Sequence, residues 1–154
     1  MEFLKSLLRN DMLICAIVSY FIAQFFKVFT VLYKEKTLKL RYLFASGGMP
    51  SSHSSTVSAL AVSCARIYGV GSPLFAVCVV LAIIVMYDAA GVRRAAGEHA
   101  KMINQIVADL FSGNPEYTEN ALKELIGHTP LQVIVGCVLG ILIGLFFPSF
   151  AGVV

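Results

Sequence analysis

The stretch Met12-Leu13-Ile14-Cys15-Ala16-Ile17-Val18-Ser19-Tyr20-Phe21-Ile22-Ala23-Gln24-Phe25-Phe26-Lys27-Val28-Phe29-Thr30-Val31-Leu32-Tyr33 decides the fold. A helix rises about 1.5 Å per residue, so this run reaches across a hydrocarbon layer about 30 Å thick. Its one charge, Lys27, is an intramembrane cation that something must satisfy. No small-residue cleavage site follows the run, so it reads as a retained span rather than a leader. The whole chain agrees with it. Of 154 residues, 58% are hydrophobic and only 14% charged, and the mean hydropathy of +0.80 is far above that of an ordinary soluble domain.

Downstream, residues 53–68 form a second expected span, rich in Ser, Ala and Val, the small residues that let membrane helices approach closely. Gly69-Val70-Gly71-Ser72-Pro73 is a tight turn, and Pro73 suits the first turn of a third helix that runs to about residue 87. Over residues 89–111, Val92, Ala95, Ala96, His99, Met102, Ile103 and Ile106 recur at helical spacing among basic residues, which predicts an amphipathic helix at the membrane surface. Ser112-Gly113-Asn114-Pro115 breaks it, residues 118–126 form a short polar helix, and a fourth span covers residues 129–147. The expected fold is therefore all-α: a small integral membrane bundle of about four transmembrane helices plus an interfacial helix, in one domain over residues 1–154. The four cysteines, Cys15, Cys64, Cys78 and Cys137, lie inside apolar runs without CxxC spacing and read as core residues.

Gly47-Gly48-Met49-Pro50-Ser51-Ser52-His53-Ser54 enters the second span. Glycines let N–H groups turn inward, Ser51 and Ser52 add hydroxyls, and the first helical turn adds unsatisfied N–H groups and a positive dipole end, together a cradle for phosphate. A histidine beside such a cradle can move a proton. Helix capping alone would also select Pro-Ser-Ser at this point. Counting crossings separates the two readings, because four spans put His53, Asp88, Arg93, Arg94 and His128 on one side of the membrane. That side also carries Lys34, Lys36, Lys39, Arg41, Lys101 and Lys123, against Lys5, Arg9 and Arg66 on the other, so the charge bias makes it cytoplasmic.

Read with Lys123-Glu124-Leu125-Ile126-Gly127-His128-Thr129-Pro130-Leu131-Gln132 and Tyr87-Asp88-Ala89-Ala90-Gly91-Val92-Arg93-Arg94-Ala95-Ala96-Gly97, the Pro50-Ser51-Ser52-His53 segment resembles the type 2 phosphatidic acid phosphatase and vanadium haloperoxidase superfamily. The closer likeness is to its divergent membrane branch, the acid phosphatase/vanadium-dependent haloperoxidase-related proteins, over roughly residues 47–144. The resemblance implies that His128 is a nucleophile forming a phosphohistidine and that His53 is the acid protonating the departing alkoxide. It implies that Gly48, Ser51 and Ser52 belong to the phosphate cradle. The family's first motif, Lys, six residues, then Arg-Pro, is matched in spacing by Lys34 and Arg41, with Tyr42 in place of the proline and Lys27 as a competing lysine.

Two departures matter. Gln132 stands where the family has an Asp beyond the nucleophile; it can accept a hydrogen bond from the ring without supplying charge. Asp88 is the candidate for the missing carboxylate. The third-motif arginine is also absent, and Arg93 or Arg94 is the candidate replacement, since a guanidinium fork matches two phosphoryl oxygens. The plainer alternative is an Asp88–arginine ion pair at the end of the third span. His99 has no phosphate-binding turn beside it and reads as a packing histidine. No metal-ligand spacing occurs, so neither metal nor cofactor is expected, and a net charge of +3 clustered at a membrane surface gives no case for nucleic acid.

The function these expectations imply is hydrolysis of a phosphomonoester or diphosphate on a membrane lipid phosphate or polyprenyl phosphate, in a bacterial plasma membrane. The alternatives are a lipid-phosphate binder or transporter with a degenerate site, and a structural membrane protein. A second copy of the chain, making a homo-oligomer, is a candidate partner.

Overall fold

The computed structural model describes residues 1–35, 48–110 and 127–148. Among the described residues six helices follow in order, α1 (Glu2–Leu7), α2 (Asp11–Glu35), α3 (Ser52–Tyr68), α4 (Pro73–Ala90), α5 (Val92–Leu110) and α6 (Pro130–Phe146), and there is no strand. The starts are set by capping. Asn10 Oδ1 accepts from the Leu13 N–H ahead of α2, and Ser72 caps α4 by accepting from the Phe75 N–H, with Pro73 preset for the first turn. Thr129 and Gln132 form a capping box on α6. Gly69, at φ +81°, closes α3. The expected polar helix over residues 118–126 lies outside the described residues.

Burial runs opposite to that of a soluble protein. The enclosed side chains include Ser19, Gln24, Lys27, Ser51, Ser52, Ser54, Ser55, Ser58 and Ser63, while Phe21, Phe25, Phe29, Val80, Ile84, Ile134 and Leu145 face outward. In water this would expose an apolar patch far larger than monomers tolerate; in hydrocarbon it is the stable arrangement. Two helical stretches, Asp11–Thr30 and Pro73–Leu110, are each long and apolar enough to cross a membrane, and the shorter Pro130–Phe146 is apolar. The molecule is an all-α membrane bundle, and of the four expected spans α2 and α4 meet both length and apolarity. Serine-rich α3 is different. It sits among α2, α4 and α6 and packs on all three, so its hydroxyls meet helices rather than lipid.

Close approach replaces the hydrophobic drive that lipid removes. Gly136, Gly140 and Gly144 make a stripe along α6, and a Cβ on each would strike the Ser51 carbonyl, the Ser55 carbonyl, and Val62 with the Ala59 carbonyl, respectively. Hydroxyl and thiol groups then bond across the seams. Ser19 Oγ lies 2.7 Å from Ser55 Oγ, Ser58 Oγ 3.3 Å from Cys137 Sγ, and Arg66 Nη1 donates at 2.8 Å to both the Gly144 and Phe147 carbonyls. All four cysteines are free thiols, and Cys15, Cys64 and Cys78 are buried. Helix α5 contacts α4 and leaves Met102, Ile103, Ile106 and Leu110 exposed on its apolar side, as an interfacial helix would.

Candidate functional site

Four helix ends meet at one end of the bundle. The Ser51 N–H donates to the Gln132 carbonyl at 3.1 Å, tying the start of α3 to α6, and the His128 N–H donates to the Ala89 carbonyl at 3.1 Å, tying the approach to α6 to the end of α4. Thr30 Oγ1 donates to the Met49 carbonyl at 2.7 Å, pinning the loop before α3 onto α2. Gly127 has the Arg93–Arg94 backbone against it, where a Cβ would overlap main-chain atoms. These bonds carry His53, His128, Asp88 and Arg93 to the same end.

His128 is 5% exposed. Its Nδ1 lies 3.2 Å from Gln132 Oε1, and the same amide oxygen accepts the Thr129 N–H at 3.1 Å. A backbone N–H can only donate, so the capping box identifies that amide atom as oxygen, and the ring nitrogen facing it must donate too. His128 is thereby held as the Nδ1–H tautomer, with its lone pair on Nε2. Burial pushes its pKa below the usual imidazole value, and the charges of Lys27 and His53 act in the same direction, against the hydrogen bonds to Gln132 and to the Gly48 backbone. The result is a neutral imidazole near pH 7, the nucleophilic form.

His53, on the first turn of α3, is exposed and lies within electrostatic reach of Arg93, Lys27, Asp88 and His128. Asp88 and Arg93 form an ion pair, with Arg93 Nε 2.6 Å from Asp88 Oδ2. The group on the His128 ring is Gln132, and the Asp88 carboxylate is committed to Arg93 beside His53. Arg94 lends its backbone to the packing on Gly127 and has an exposed side chain. Ser51 is fully buried and acts as the α3 cap, its Oγ receiving the Ser54 N–H at 3.4 Å and the Ser54 hydroxyl at 3.0 Å. Its own N–H is taken by Gln132. The free donors of the turn are then the N–H groups of Ser52 and His53, which head the helix and have no partner among the described residues.

Lys27 is the cation that the spacing of motifs undervalued. It is 2% exposed, with Gly48 lying over its stem, and its charge reaches both histidines. A signal was present, since Gln24, Lys27 and Thr30 recur at helical spacing inside an apolar run. Gln24 is also buried, with Oε1 lacking a partner among the described residues. Lys34 falls in the last turn of α2, and Arg41 lies outside the described residues. His99 is exposed on α5, away from this cluster's contacts. Among the described residues no group of His, Cys, Asp or Glu is arranged to hold a metal ion.

Gly48 has φ +85°, and a Cβ there would lie 3.2 Å from Lys27 Cγ. Gly48→Ala is therefore expected to destabilise by about 1–2 kcal/mol through backbone strain and to displace the lysine stem. A thiol-reactive dye that reports exposure of the buried cysteines on heating would register the lower midpoint. Gly71→Ala, which meets nothing within 4 Å, should leave it unchanged.

A polar seam inside an apolar coat, closed at one end by two histidines and a buried lysine, defines a helical membrane protein with a polar centre at the ends of its helices. The chain belongs to the Divergent PAP2 family, whose model matches residues 8–143. It is also similar to the uncharacterized membrane protein YuiD of Bacillus subtilis (strain 168), at 39% identity over 154 residues that cover 94% of this chain and 98% of that protein. No solved structure matches it.

Proposed function

We propose that this protein is a metal-independent lipid phosphatase, cleaving a phosphomonoester or diphosphate on a membrane lipid or polyprenyl phosphate. The observation that carries the reading is the buried His128 ring, held through Nδ1–H on Gln132 and neutral near pH 7, in electrostatic reach of His53 and Lys27. His128 Nε2 attacks phosphorus, the P–O bond to the lipid breaks, and protonated His53 gives its proton to the departing alkoxide. Water then attacks the phosphohistidine, with neutral His53 taking its proton, so the P–N bond breaks, inorganic phosphate leaves and both histidines return to their starting states. Lys27, the Arg93 guanidinium and the Ser52 and His53 N–H groups stabilise the phosphoryl oxygens as charge shifts. Asp88 positions Arg93. A site at the ends of the helices meets lipid phosphates laterally, which is why the substrate is a lipid, and the charge bias of the sequence between the two sides argues for a cytoplasmic site.

A second reading, a binder or transporter of lipid phosphate, draws on Gln132, which orients the ring without the charge that would stabilise its imidazolium. One substitution separates the two. Gln132→Glu keeps an oxygen for the Nδ1–H and the cap while adding that charge, so turnover of a lipid phosphate by the purified protein should be preserved or raised. If the parent and Gln132→Glu both release no phosphate from any lipid phosphate while binding it, the phosphatase reading is overturned in favour of the binder.

A further inference from the structure

Helix α3 runs away from the histidines, and Arg66 in its last turn lies about 20 Å along the axis from His53 at the usual helical rise. There a cavity of about 590 Å³ opens between α4 and α6, with α3 as its floor. Its size is that of small-molecule sites, about 300–1,000 Å³. The cause is visible in the residues. Ala61 and Ala65 on α3 and Ala82 on α4 are too small to fill the space, and α4 and α6 both pack on α3 but touch each other little. The walls are mostly hydrocarbon, including Ile83 and Met86 on α4 and Ile141 on α6, with Ser58 and Cys137 hydrogen-bonded to each other, and Arg66 is the one charged side chain among the described lining residues.

Arg66 is also held in place. Its Nη1 bridges the Gly144 and Phe147 carbonyls at the end of α6, while Nε and Nη2 have no partner among the described residues. The N-terminus of α4, capped by Ser72, lies at the same mouth, with Val70 and Phe75 in the cavity wall on either side of it. A fixed guanidinium beside the positive end of an 18-residue helix, above a groove of hydrocarbon, is complementary to one kind of membrane component.

We propose that this groove binds an anionic phospholipid, its phosphodiester on Arg66 and the α4 N-terminus and one acyl chain between α4 and α6, at the end of the bundle opposite the histidines. The site is independent of the phosphatase reading and requires no turnover. The occupied groove also supplies the packing that α4 and α6 do not give each other, so the lipid stabilises the bundle.

The test uses full-length protein, purified in detergent, stripped of lipid and labelled with phosphatidylglycerol carrying a photoactivatable diazirine in one acyl chain. Cross-links are expected to concentrate on Ile83, Met86 and Ile141 and to be competed by unlabelled phosphatidylglycerol but not by diacylglycerol or inorganic phosphate. Arg66→Gln should cut the yield about tenfold, the loss of one charge-assisted contact. Ala65→Leu, which keeps Arg66 and its bonds to α6 but fills the groove beside it, should cut it comparably without lowering the melting midpoint of the lipid-free protein. Cross-links spread evenly over lipid-facing Phe21, Phe25 and Val80, equal competition by diacylglycerol, or an unchanged yield in Ala65→Leu would each overturn the proposal.

Discussion

His128→Ala is expected to abolish phosphate release from a lipid phosphate, by more than about 10⁴-fold, because it removes the atom that forms the bond to phosphorus. Binding of the lipid phosphate should survive, since Lys27, Arg93 and the α3 N–H groups remain. The pH profile gives a finer check. Attack needs the neutral ring, and burial holds the His128 pKa below the ordinary imidazole value. As pH falls, the neutral fraction therefore persists past the point where a free histidine would protonate, and the acidic limb of kcat/KM should lie below about 6.5. Gln132→Glu stabilises the imidazolium and should move that limb upward. His53→Ala should cost more with a poor alkoxide leaving group than with a nitrophenolate, by up to about 10²–10⁴-fold, the usual range of general-acid help. An acidic limb at or above the ordinary value in the parent, or full activity in His128→Ala, would remove His128 from the chemistry.

What the sequence made legible follows from how local each signal is. Pro50-Ser51-Ser52 and Pro73 announce helix starts within a few residues, and helices begin there. The crossing count needed only the apolar runs and the turn at residues 69–73, and it brought His53 and His128 to one end. Partners were harder. Gln132 was legible as an acceptor for the His128 ring, while its second bond, to the Thr129 N–H, belongs to a Thr-x-x-Gln capping box whose spacing is present in the sequence. Lys27 looked like an isolated intramembrane charge because the backbone over its stem, Gly48, and the ring its charge reaches, His128, come from distant parts of the chain. Asp88 was read as a carboxylate for His128, with an arginine ion pair as the alternative, and it is found on Arg93, a pairing of neighbours across the α4–α5 junction. The small residues of α3 announced close packing, but which helices would cover it, α2, α4 and α6, depends on the tertiary arrangement.

Gly140→Val should be the most damaging substitution outside the site. Its side chain would have to occupy space held by the Ser55 carbonyl, with Ser55 C and Cα only 2.8 and 2.9 Å from the Cβ position. The obstacle is main chain inside α3, which cannot rotate away as a side-chain tip can, so α6 must move off α3. That movement breaks the seam at its centre, because Ser55 also bonds Ser19 on α2 and Ser51, one turn earlier, donates its N–H to the Gln132 carbonyl. Overpacking of this kind costs about 3 kcal/mol, equivalent to a fall of about 6–12 °C in Tm for a chain of this size. The buried Cys15 and Cys64 provide the readout, since a thiol-reactive dye reaches them only when the bundle opens. Phosphate release should fall with the midpoint even at temperatures where the protein stays folded, because displacing α6 moves His128 relative to His53 and near-attack geometry tolerates little error. A Gly140→Val protein that melts with the parent and keeps its activity would mean that α3 and α6 do not meet along the glycine stripe, and would remove the basis for bringing the two histidines together.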